Sequence, residues 1–345
     1  MGTMKAAIKT AQNDFELMEV PIPEPGPGEA LVRMTLGTIC GTDVHLLEFP
    51  MFPGMETQSL GHESTGVVAK LGPGVSRFRE GERVVMSCVS TCGTCANCQR
   101  GDLSACTGRT AMGITGMQAE YFIVPYADVN LARIPDDLKD EQVLFVSDIM
   151  STGFGALERG GIKAGDSVAV FAQGPVGLCA TAGARAFGAG MVIGVESVPE
   201  RVAMAKRMGA NFVINPKETD PYVEIMRLTD NVGVDIAVEA VGTEPTFQAA
   251  VMATKLGGTT VSFGTYGLLP LLGLPLGPTF FHKKIAFLLC PPGTDRLVRL
   301  MDMVRYGNVD LTPLWTHRMK LAEIKRAYEM FRNREDGVLK IALTP

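Results

Sequence analysis

The sequence predicts an α/β protein with two domains, one rich in short β-strands and the other built on a parallel β-sheet. The chain has 345 residues, which is near the upper limit for a single hydrophobic core, so two domains are expected. Residues 1–150 contain short β-branched runs separated by glycine and proline, a pattern typical of a β-rich domain. From about residue 165, strand patterns alternate with helical patterns, which indicates a parallel sheet.

Strands of the first domain are predicted from four apolar runs bounded by turn residues: EALVRMTL, TGVVAKLG, ERVVMSCV and AEYFIVP. Strands of the second domain are predicted from six runs: DSVAVFA, MVIGVE, FVINP, VDIAVEAVG, TTVSFG and IAFLL. The helical patterns between them are PVGLCATAGARAFGA, PERVAMAKRMGA, PYVEIMRLTD and EPTFQAAVMATKL. Strands that alternate with helices in this way form a sheet with right-handed crossovers.

The last part of the chain predicts two amphipathic helices and one strand. The helices are DRLVRLMDMVRYG and LAEIKRAYEMFRNR, and the strand is VLKIALT. These elements are too few to form a core of their own. We therefore expect the tail to pack back on the first domain.

Composition argues against nucleic-acid and membrane functions. The formal net charge is −5, and the lysines and arginines form no block, so the basic surface expected of a nucleic-acid-binding protein is absent. The most apolar stretch, residues 268–281, is too short and too interrupted by proline to cross a bilayer. We expect another subunit or the active-site cleft to cover its leucines. The N-terminal residues lack a secretory signal, so a cytoplasmic location with reduced thiols is expected.

The hexapeptide AQGPVG at residues 172–177 lies between a predicted strand and a predicted helix, as a dinucleotide-binding loop does. Gly174 would let the backbone approach a pyrophosphate at the positive end of the helix, and Gly177 would let the helix pack closely on the strand. Ala172 replaces the usual first glycine, so the loop is expected to be slightly displaced. Glu196 ends the next predicted strand, where an acidic residue accepts hydrogen bonds from the adenosine ribose. The alternative is an apolar strand and helix that use glycine only for packing, and the spacing to Glu196 favours the dinucleotide site over it.

Five of the eight cysteines lie within residues 88–106. Four of them have a spacing that lets their thiolates surround one Zn²⁺ ion: Cys92, Cys95, Cys98 and Cys106. The residues between them are small or turn-forming, as a chain folding around an ion requires. The sequence therefore predicts a closed, structural zinc site, with four simply buried thiols as the alternative. Cys88 lies on the preceding strand pattern and is expected to be a packed thiol.

Three further segments contain metal-ligand chemistry: TICGTDVH at 38–45, LGHES at 60–64 and VSDIM at 146–150. Each alone is a weak signal, because a single cysteine or histidine is more often buried in a core. Together they offer a thiolate, an imidazole and a carboxylate, a set suited to a catalytic zinc with one open position. Asp43 is expected to orient a histidine ligand through its second ring nitrogen.

Over essentially its whole length the chain resembles the zinc-dependent alcohol dehydrogenases of the medium-chain dehydrogenase/reductase superfamily. The resemblance rests on motifs that occur in that family's order: C-x-T-D-x-H (Cys40, Thr42, Asp43, His45), G-H-E (Gly61, His62, Glu63), the four-cysteine lobe and the glycine-rich loop. It implies a GroES-like β-rich catalytic domain and a Rossmann doubly wound parallel sheet. The implied bounds are 1–151 with 288–345 for the first domain, its zinc lobe at 88–106, and 152–287 for the second.

The resemblance also implies the ligands of the catalytic zinc. Cys40 and His62 match two family ligands, and Asp148 matches the third, in a segment that resembles bacterial secondary-alcohol dehydrogenases. Those bacterial enzymes often lack the four-cysteine lobe, which this chain keeps, so it combines two family patterns. The expected cofactors are two Zn²⁺ ions per chain and NAD(H), and the expected reaction is hydride transfer between an alcohol, preferably secondary, and the nicotinamide.

Catalytic roles implied by the resemblance fall on three residues. Thr42 would accept the alcohol proton, which the cofactor ribose and then His45 would pass to solvent. Glu63 would act as a transient additional zinc ligand. The implied cofactor-binding residues are Gly174, Pro175, Val176, Gly177, Glu196, Arg201 and Lys340.

Several of these cofactor assignments are specific. Val176 would hold the nicotinamide ring against the substrate, and Lys340 would lie near the pyrophosphate or, alternatively, be a solvated charge on a strand. Glu196 would select NAD over NADP, because its carboxylate repels a 2′-phosphate and Val198 stands where NADP-using relatives have arginine. Arg201 is expected to flank the adenine or to pair with Glu196.

Three alternatives remain at this stage. A polyol, amino-alcohol or 2,3-butanediol dehydrogenase has the same motifs, although polyol enzymes use glutamate in the ligand set where this chain has Asp148. A non-catalytic zinc-binding module would carry basic residues near the cysteines, where only Arg100 and Arg109 occur. A zinc-free quinone reductase of the same fold would not need Cys40, His62 and Asp148 together. Family habit implies a homotetramer or a dimer acting on a small alcohol or ketone.

Overall fold

The computed structural model describes residues 2–48, 59–108, 116–266, 271–276 and 282–345. Arg109 and most of the leucine- and proline-rich stretch at 268–281 lie outside the described residues. The chain divides into two compact units. Unit 1 contains Met1–Ser151 and Cys290–Pro345, and unit 2 contains Thr152–Leu289.

The strands, in chain order, are β1 (Thr3–Ala11), β2 (Asp14–Pro21), β3 (Ala30–Gly37), β4 (Ser64–Leu71), β5 (Arg83–Met86), β6 (Tyr121–Val124), β7 (Leu131–Arg133), β8 (Ser167–Phe171), β9 (Met191–Val195), β10 (Phe212–Ile214), β11 (Val234–Glu239), β12 (Thr254–Ser262), β13 (Lys284–Phe287), β14 (Trp315–Lys320) and β15 (Lys340–Thr344). The α-helices are α1 (Gly41–Glu48), α2 (Ala96–Gln99), α3 (Ala127–Asn130), α4 (Asp140–Val143), α5 (Ile149–Gly160), α6 (Pro175–Ala186), α7 (Pro199–Arg207), α8 (Pro221–Leu228), α9 (Glu244–Ala253), α10 (Thr294–Arg305) and α11 (Ile324–Asn333). Short 3-10 helices cover Leu103–Ala105, Leu144–Ser147, Thr312–Leu314, Leu321–Glu323 and Glu335–Gly337.

Unit 2 contains the parallel sheet that the sequence predicts. Its six strands lie in the order β10-β9-β8-β11-β12-β13, and every pair is parallel. This is the Rossmann order, in which the direction of winding reverses between β8 and β11. Ligands of such sheets bind outside the carboxyl ends of the strands at this reversal. The loop between β8 and α6 starts at that edge.

Each strand–helix alternation predicted for unit 2 is present, with boundaries within a few residues of the pattern. Proline occupies the first turn of α6, α7, α8 and α9, where its missing N–H costs nothing. Asp220 caps α8 by accepting hydrogen bonds from the backbone N–H groups of Tyr222, at 2.8 Å, and Val223, at 3.2 Å. The capping residues and the hydrophobic periodicity of unit 2 predict the same elements, which explains why the sequence pattern alone locates its strands and helices.

Unit 1 is built on a seven-stranded sheet in the order β14-β15-β3-β4-β5-β7, with β6 also pairing with β3. Strands β1 and β2 form a separate antiparallel hairpin. The C-terminal tail belongs to this unit, since β15 pairs with β3 at Leu343 and Gly37. The sequence reading missed β14, whose side chains alternate between half-buried and exposed, because most of them are polar. It also missed α1, which has only eight residues.

Unit 2 exposes several large apolar side chains to solvent. Leu271 is 81% exposed and Leu276 is 76% exposed, and Phe287 of the edge strand β13 is 56% exposed. The expectation that another surface covers the leucine-rich stretch therefore stays a prediction. Within the described ranges, no helix has both the length and the apolar character that crossing a bilayer requires.

Candidate metal centres and dinucleotide loop

Unit 1 brings together the four side chains that the sequence assigns to a catalytic metal. Cys40 directly precedes α1, His62 and Glu63 directly precede β4, and Asp148 stands between the 3-10 helix Leu144–Ser147 and α5. One ligand atom from each of the four residues lies within 4.8 Å of the others. All four side chains are buried, so the group is a compact polar cluster inside the unit.

Distances within this cluster show how closely the donor atoms approach. The Nε2 atom of His62 lies 3.2 Å from Oδ2 of Asp148. The same carboxylate oxygen lies 3.8 Å from Sγ of Cys40. A thiol, an imidazole nitrogen and a carboxylate oxygen therefore converge on one small volume, as the three protein ligands of a catalytic zinc do.

Asp43 fixes the orientation of His62. Its Oδ1 lies 2.7 Å from Nδ1 of His62, so this nitrogen donates its proton to Asp43 and Nε2 is the ring nitrogen that faces Asp148. The other oxygen, Oδ2, accepts hydrogen bonds from the backbone N–H of Cys40, at 2.9 Å, and from Nε2 of Gln118, at 3.2 Å. The hydroxyl of Tyr328 in turn donates to Oε1 of Gln118 at 2.8 Å. Sequence reasoning missed these last two residues, because no local motif marks them.

Lys340 requires a correction. Its side chain has no exposure to solvent, and its Nζ donates to the Glu63 carboxylate and, at 3.2 Å, to the carbonyl oxygen of Ile39. A side chain with no exposed surface does not carry a solvated charge. The interpretation of Lys340 as a solvated strand charge is therefore wrong, because the residue is the buried counter-charge of Glu63. Its proximity to a pyrophosphate stays a prediction.

Burial and neighbouring charges shift the pKa values of this cluster. Burial raises the pKa of the Cys40 thiol, and the nearby Glu63 carboxylate raises it further. Burial alone lowers the pKa of His62, but hydrogen bonds and charges from Asp43 and Asp148 outweigh it, so the net pKa lies well above the usual value. For Lys340, burial also lowers the pKa, and the Glu63 carboxylate reverses the direction, so the ammonium stays charged.

The residues present fit a zinc ion. The Oε1 atom of Glu63 is buried and has no hydrogen-bond partner. A buried carboxylate oxygen left unpaired is costly, and a nearby cation removes that cost. The thiol and imidazole beside it are the ligand types that zinc prefers, and the Asp43 carboxylate supplies the outer hydrogen bond that zinc-bound histidines commonly make.

The two relay candidates lie on one helix at the cluster. Thr42 and His45 are three positions apart on α1, so their side chains point to the same side of the helix. Both residues are exposed. The hydroxyl oxygen of Thr42 lies 3.9 Å from Sγ of Cys40, and Nδ1 of His45 lies 3.4 Å from the Glu48 carboxylate. Thr42 is therefore adjacent to Cys40, one of the predicted metal ligands, while His45 reaches solvent.

The four lobe cysteines also converge. Their sulfur atoms all lie within 4.8 Å of one another. Measured separations are 3.4 Å for Cys95–Cys98, 3.5 Å for Cys92–Cys106, 3.9 Å for Cys95–Cys106 and 4.0 Å for Cys92–Cys98. Tetrahedral zinc with bonds of about 2.3 Å places its sulfur ligands about 3.8 Å apart. The lobe therefore has the dimensions of a closed four-thiolate zinc site, and all eight cysteines of the chain are free of disulfides.

Backbone N–H groups in the lobe favour the thiolate form. The N–H of Cys92 donates to Sγ of Cys106 at 3.3 Å, and that of Cys95 donates to Sγ of Cys92 at 3.4 Å. Hydrogen bonds from the backbone of Cys98 and from Thr107 lower the pKa of Cys95 to about 5. Burial acts oppositely on Cys98 and raises its pKa to about 11. Zinc requires deprotonated sulfur, so the first effect prepares the lobe for the ion.

The β8–α6 loop of unit 2 contains the residues predicted to hold a dinucleotide. Ala172 adopts a left-handed backbone conformation with φ of 74°, so the alanine takes the glycine-like turn instead of displacing it. A Cβ atom at Gly177 would lie 2.1 Å from the carbonyl oxygen of Ala172, so only glycine allows α6 to pack here. A Cβ at Gly174 would meet only Nη1 of Arg201, at 4.0 Å, so the space in front of this residue is open. Pro175 forms the first turn of α6, and Val176 beside it is half-buried.

Glu196 ties this loop to the end of β9. One carboxylate oxygen accepts the N–H groups of Ser197, at 2.7 Å, and Val198, at 3.0 Å, and the other accepts the N–H of Gln173 at 3.1 Å. Nη1 of Arg201 lies 3.9 Å from that second oxygen. The predicted pairing of Arg201 with Glu196 is therefore present, and the carboxylate also has a structural role that the sequence did not indicate.

Comparisons with known proteins decide the family. The model of the alcohol dehydrogenase GroES-like domain matches residues 26–136, and the model of zinc-binding dehydrogenases matches residues 175–294. An alcohol dehydrogenase of Cupriavidus necator is 43% identical over an alignment of 366 residues that covers 99% of each chain. The chain belongs to the zinc-type alcohol dehydrogenases of the medium-chain superfamily. This dehydrogenase therefore carries out oxidation and reduction between alcohols and ketones, and the predicted GroES-like and Rossmann domains are confirmed.

Two further proteins are similar to this dehydrogenase over most of its length. The NADP-dependent isopropanol dehydrogenase of Thermoanaerobacter brockii is 35% identical over 327 residues, with 92% of this chain and 93% of that protein covered. The solved structure of an alcohol dehydrogenase from Thermus sp. ATN1 is 32% identical, covers 99% of both chains and matches with a TM-score of 0.90.

Proposed function

We propose that the protein is an NAD(H)-dependent alcohol dehydrogenase that prefers secondary alcohols and contains two zinc ions per chain with different roles. The observation that carries the proposal is the convergence of Cys40, His62 and Asp148 beside the exposed hydroxyl of Thr42. In this proposal one ion is held by these three ligands and the other by the four lobe cysteines.

The protein's own residues prepare the reaction in several ways. Zinc, when bound, supplies Lewis-acid polarisation of the alcohol oxygen, and the nicotinamide nucleotide supplies hydride acceptance. Asp43 keeps the imidazole of His62 in one orientation, with Nε2 available as a ligand. Glu63 belongs to the same group and has one buried oxygen without a hydrogen-bond partner, so it would be available as an additional ligand for the ion.

Proton removal follows a short path at the start of α1. With substrate and cofactor bound, the Thr42 hydroxyl would accept the alcohol proton, and His45 would release it to solvent through the cofactor ribose. His45 is half exposed, with 47% of its side-chain surface open to solvent. The chain thus separates the residues that hold the metal, which are buried, from the residue that meets solvent.

Substrate preference is proposed from the ligand set. Asp148 is harder than the cysteine of other family members, and a carboxylate donates less charge to zinc than a thiolate does. The similarity to an enzyme named for isopropanol supports a secondary-alcohol substrate. Diol oxidation is the main competing activity, since the same motifs occur in butanediol dehydrogenases.

For the cofactor, the proposal is NAD(H), although the isopropanol dehydrogenase relative is named for NADP. The Glu196 carboxylate is buried at the end of β9, and Val198 offers no positive charge beside it. The guanidinium of Arg201 lies beside Glu196, so the positive charge of Arg201 is already balanced by that carboxylate. A 2′-phosphate would add about two negative charges next to this carboxylate, whereas ribose hydroxyls would donate hydrogen bonds to it.

Association into a homotetramer or dimer is proposed from the exposed apolar residues of unit 2. Leu271, Leu276 and Phe287 lie exposed, and β13 is an edge strand that a second copy would cover. Light scattering coupled to size-exclusion chromatography distinguishes the two assemblies from a monomer.

A substrate and cofactor screen tests the function. We expect kcat/KM to be highest with a secondary alcohol such as 2-propanol and NAD⁺, with ketone reduction by NADH in the reverse direction. Ethanol as the better alcohol, or a diol preferred over both, contradicts the substrate assignment. Higher kcat/KM with NADP⁺ than with NAD⁺ contradicts the cofactor assignment and leaves the alcohol chemistry intact.

A further inference from the structure

Two buried cysteines outside the four-cysteine lobe lie beside the catalytic cluster in unit 1. Cys88 is 6% exposed and Cys290 is 5% exposed, and together with Val89 they form a small buried group. Cys88 lies two residues past the end of β5, and Cys290 is the first residue of the C-terminal part of the unit. A separation of about two hundred positions along the chain hides this pair from sequence analysis.

The pair lies against the segment that carries Asp148. The backbone N–H of Cys88 donates to the carbonyl oxygen of Ser147 at 3.2 Å. The sulfur of Cys290 lies 3.9 Å from that carbonyl oxygen and 3.8 Å from the carbonyl oxygen of Asp148. Backbone contacts thus hold both thiols next to one ligand of the proposed catalytic zinc.

The ligand atoms of the three residues are close enough to share one ion. One atom each from Cys88, Cys290 and Asp148 lies within 4.8 Å of the other two. Asp148 is also a member of the cluster with Cys40 and His62. Its carboxylate has two oxygens, and Oδ2 is the one near Cys40 and His62. The thiol pair and the catalytic ligands therefore meet at a single carboxylate.

We propose that Cys88, Cys290 and Asp148 form a binding site for a soft, thiophilic divalent cation, represented by cadmium, which shares Asp148 with the catalytic metal. Thiolate ligands select soft cations, and a carboxylate completes the set. Binding forms two metal–sulfur bonds and one metal–oxygen bond and releases the two thiol protons to solvent, with no change of oxidation state. The site is distinct from the four-cysteine lobe, whose sulfurs all serve one ion.

Sharing of Asp148 predicts inhibition without loss of zinc. A cation held by the thiol pair withdraws electron density from the Asp148 carboxylate and pulls that carboxylate away from the catalytic ion, which depends on it as a ligand. This consequence rests on the proposed role of Asp148 in catalysis, whereas binding of the cation does not. The two parts are therefore tested separately.

Cadmium titration of the zinc-loaded enzyme tests binding. We expect a first equivalent of cadmium to produce thiolate-to-cadmium charge-transfer absorption before a zinc-sensitive dye detects released zinc. The double variant Cys88→Ala with Cys290→Ala should lose this first equivalent. Cys179→Ala, which removes a fully buried cysteine of α6 in the other unit, should retain it.

Cadmium-113 NMR of the unmodified enzyme keeps the test independent of how the variants fold. A resonance typical of two sulfur ligands, present while both zinc ions remain bound, supports the site. Zinc release from the first addition of cadmium, or an unchanged first equivalent in the double variant, overturns it. Cadmium bound in this way with full turnover overturns the shared role of Asp148 alone.

Discussion

Nδ1 of His62 lies 2.7 Å from Oδ1 of Asp43, and both side chains are buried. This contact connects a residue of helix α1 to the segment before β4 and sets which ring nitrogen of His62 faces the metal ligands. Asp43 is satisfied in turn by the backbone of Cys40 and by Gln118. One carboxylate therefore organises two of the three proposed ligands.

Replacement of Asp43 tests this organising role. In Asp43→Asn the amide nitrogen can only donate, so either Nδ1 of His62 or the backbone N–H of Cys40 loses the oxygen that accepts its hydrogen bond. We expect zinc affinity and kcat/KM each to fall about 10–100-fold, as found for outer partners of zinc-bound histidines. Zinc retained against a chelator is measured beside kcat/KM, with Asp136→Asn, an exposed carboxylate of the same unit, as the control. Normal zinc retention in Asp43→Asn contradicts the proposed role.

The two zinc ions should differ in what they support. Cys98→Ser removes a lobe ligand and should lower thermal stability while some turnover remains, because that ion only closes a loop. Cys40→Ser should abolish turnover with the fold largely kept. Elemental analysis, thermal unfolding and turnover of both variants check this pair. A single zinc per chain in fully active enzyme, or full stability of Cys98→Ser, is incompatible with it.

Asp148→Ala should reduce both zinc content and turnover, because it removes the third proposed ligand. The control is Ser147→Ala, which removes a neighbouring buried hydroxyl that has no hydrogen-bond partner. Elemental analysis and kcat are measured for both variants. If Asp148→Ala keeps near-normal metal and activity, the third ligand lies elsewhere.

The buried pair of Lys340 and Glu63 should matter for stability. Lys340→Met leaves the Glu63 charge without its partner, and breaking a buried ion pair from one side costs about 3–5 kcal/mol. The double variant Glu63→Gln with Lys340→Met should recover part of that loss. Lys70→Met, which breaks an exposed pair with Glu24, should cost less than about 1 kcal/mol. Denaturant unfolding of the zinc-loaded proteins measures all three, and equal losses for Lys340→Met and Lys70→Met count against the buried pair.

Glu196 is expected to select NAD over NADP by about a hundredfold or more, equivalent to a few kcal/mol. Glu196→Gly with Val198→Arg removes the repelling carboxylate and adds a cation for the 2′-phosphate, so the ratio of kcat/KM values should move toward NADP⁺. Val198→Arg alone keeps Glu196 and should move it less. Since Glu196 also accepts three backbone N–H groups, thermal stability of the double variant is measured in parallel. An unchanged ratio in a stable double variant removes Glu196 as the selector.

Local sequence accounts for the parts of the molecule whose interactions are local. The lobe cysteines lie within fifteen positions of one another, so their spacing alone brings four sulfurs around one point. The sequence likewise predicts the β8–α6 loop, because a strand pattern leads into a helix that starts at Pro175, and the close approach of that helix to the strand requires glycine at position 177. The alternating pattern of unit 2 predicts the parallel sheet because its central strands β8, β9 and β11 are buried almost throughout, which gives continuous apolar runs separated by helical patterns.

By itself, the sequence determined the two-domain α/β architecture, the zinc and dinucleotide chemistry and the residue types that serve them, because motif spacing and hydrophobic period are properties of neighbouring residues. Only the tertiary structure decided which distant side chains meet. Lys340 reaches Glu63 across 277 positions and Tyr328 reaches Gln118 across 210. Such pairings depend on the register of β15 against β3 and on side-chain packing, which leave no period in the sequence. For the same reason the sequence pattern of VLKIALT does not reveal that the fold buries Lys340 as the counter-charge of Glu63.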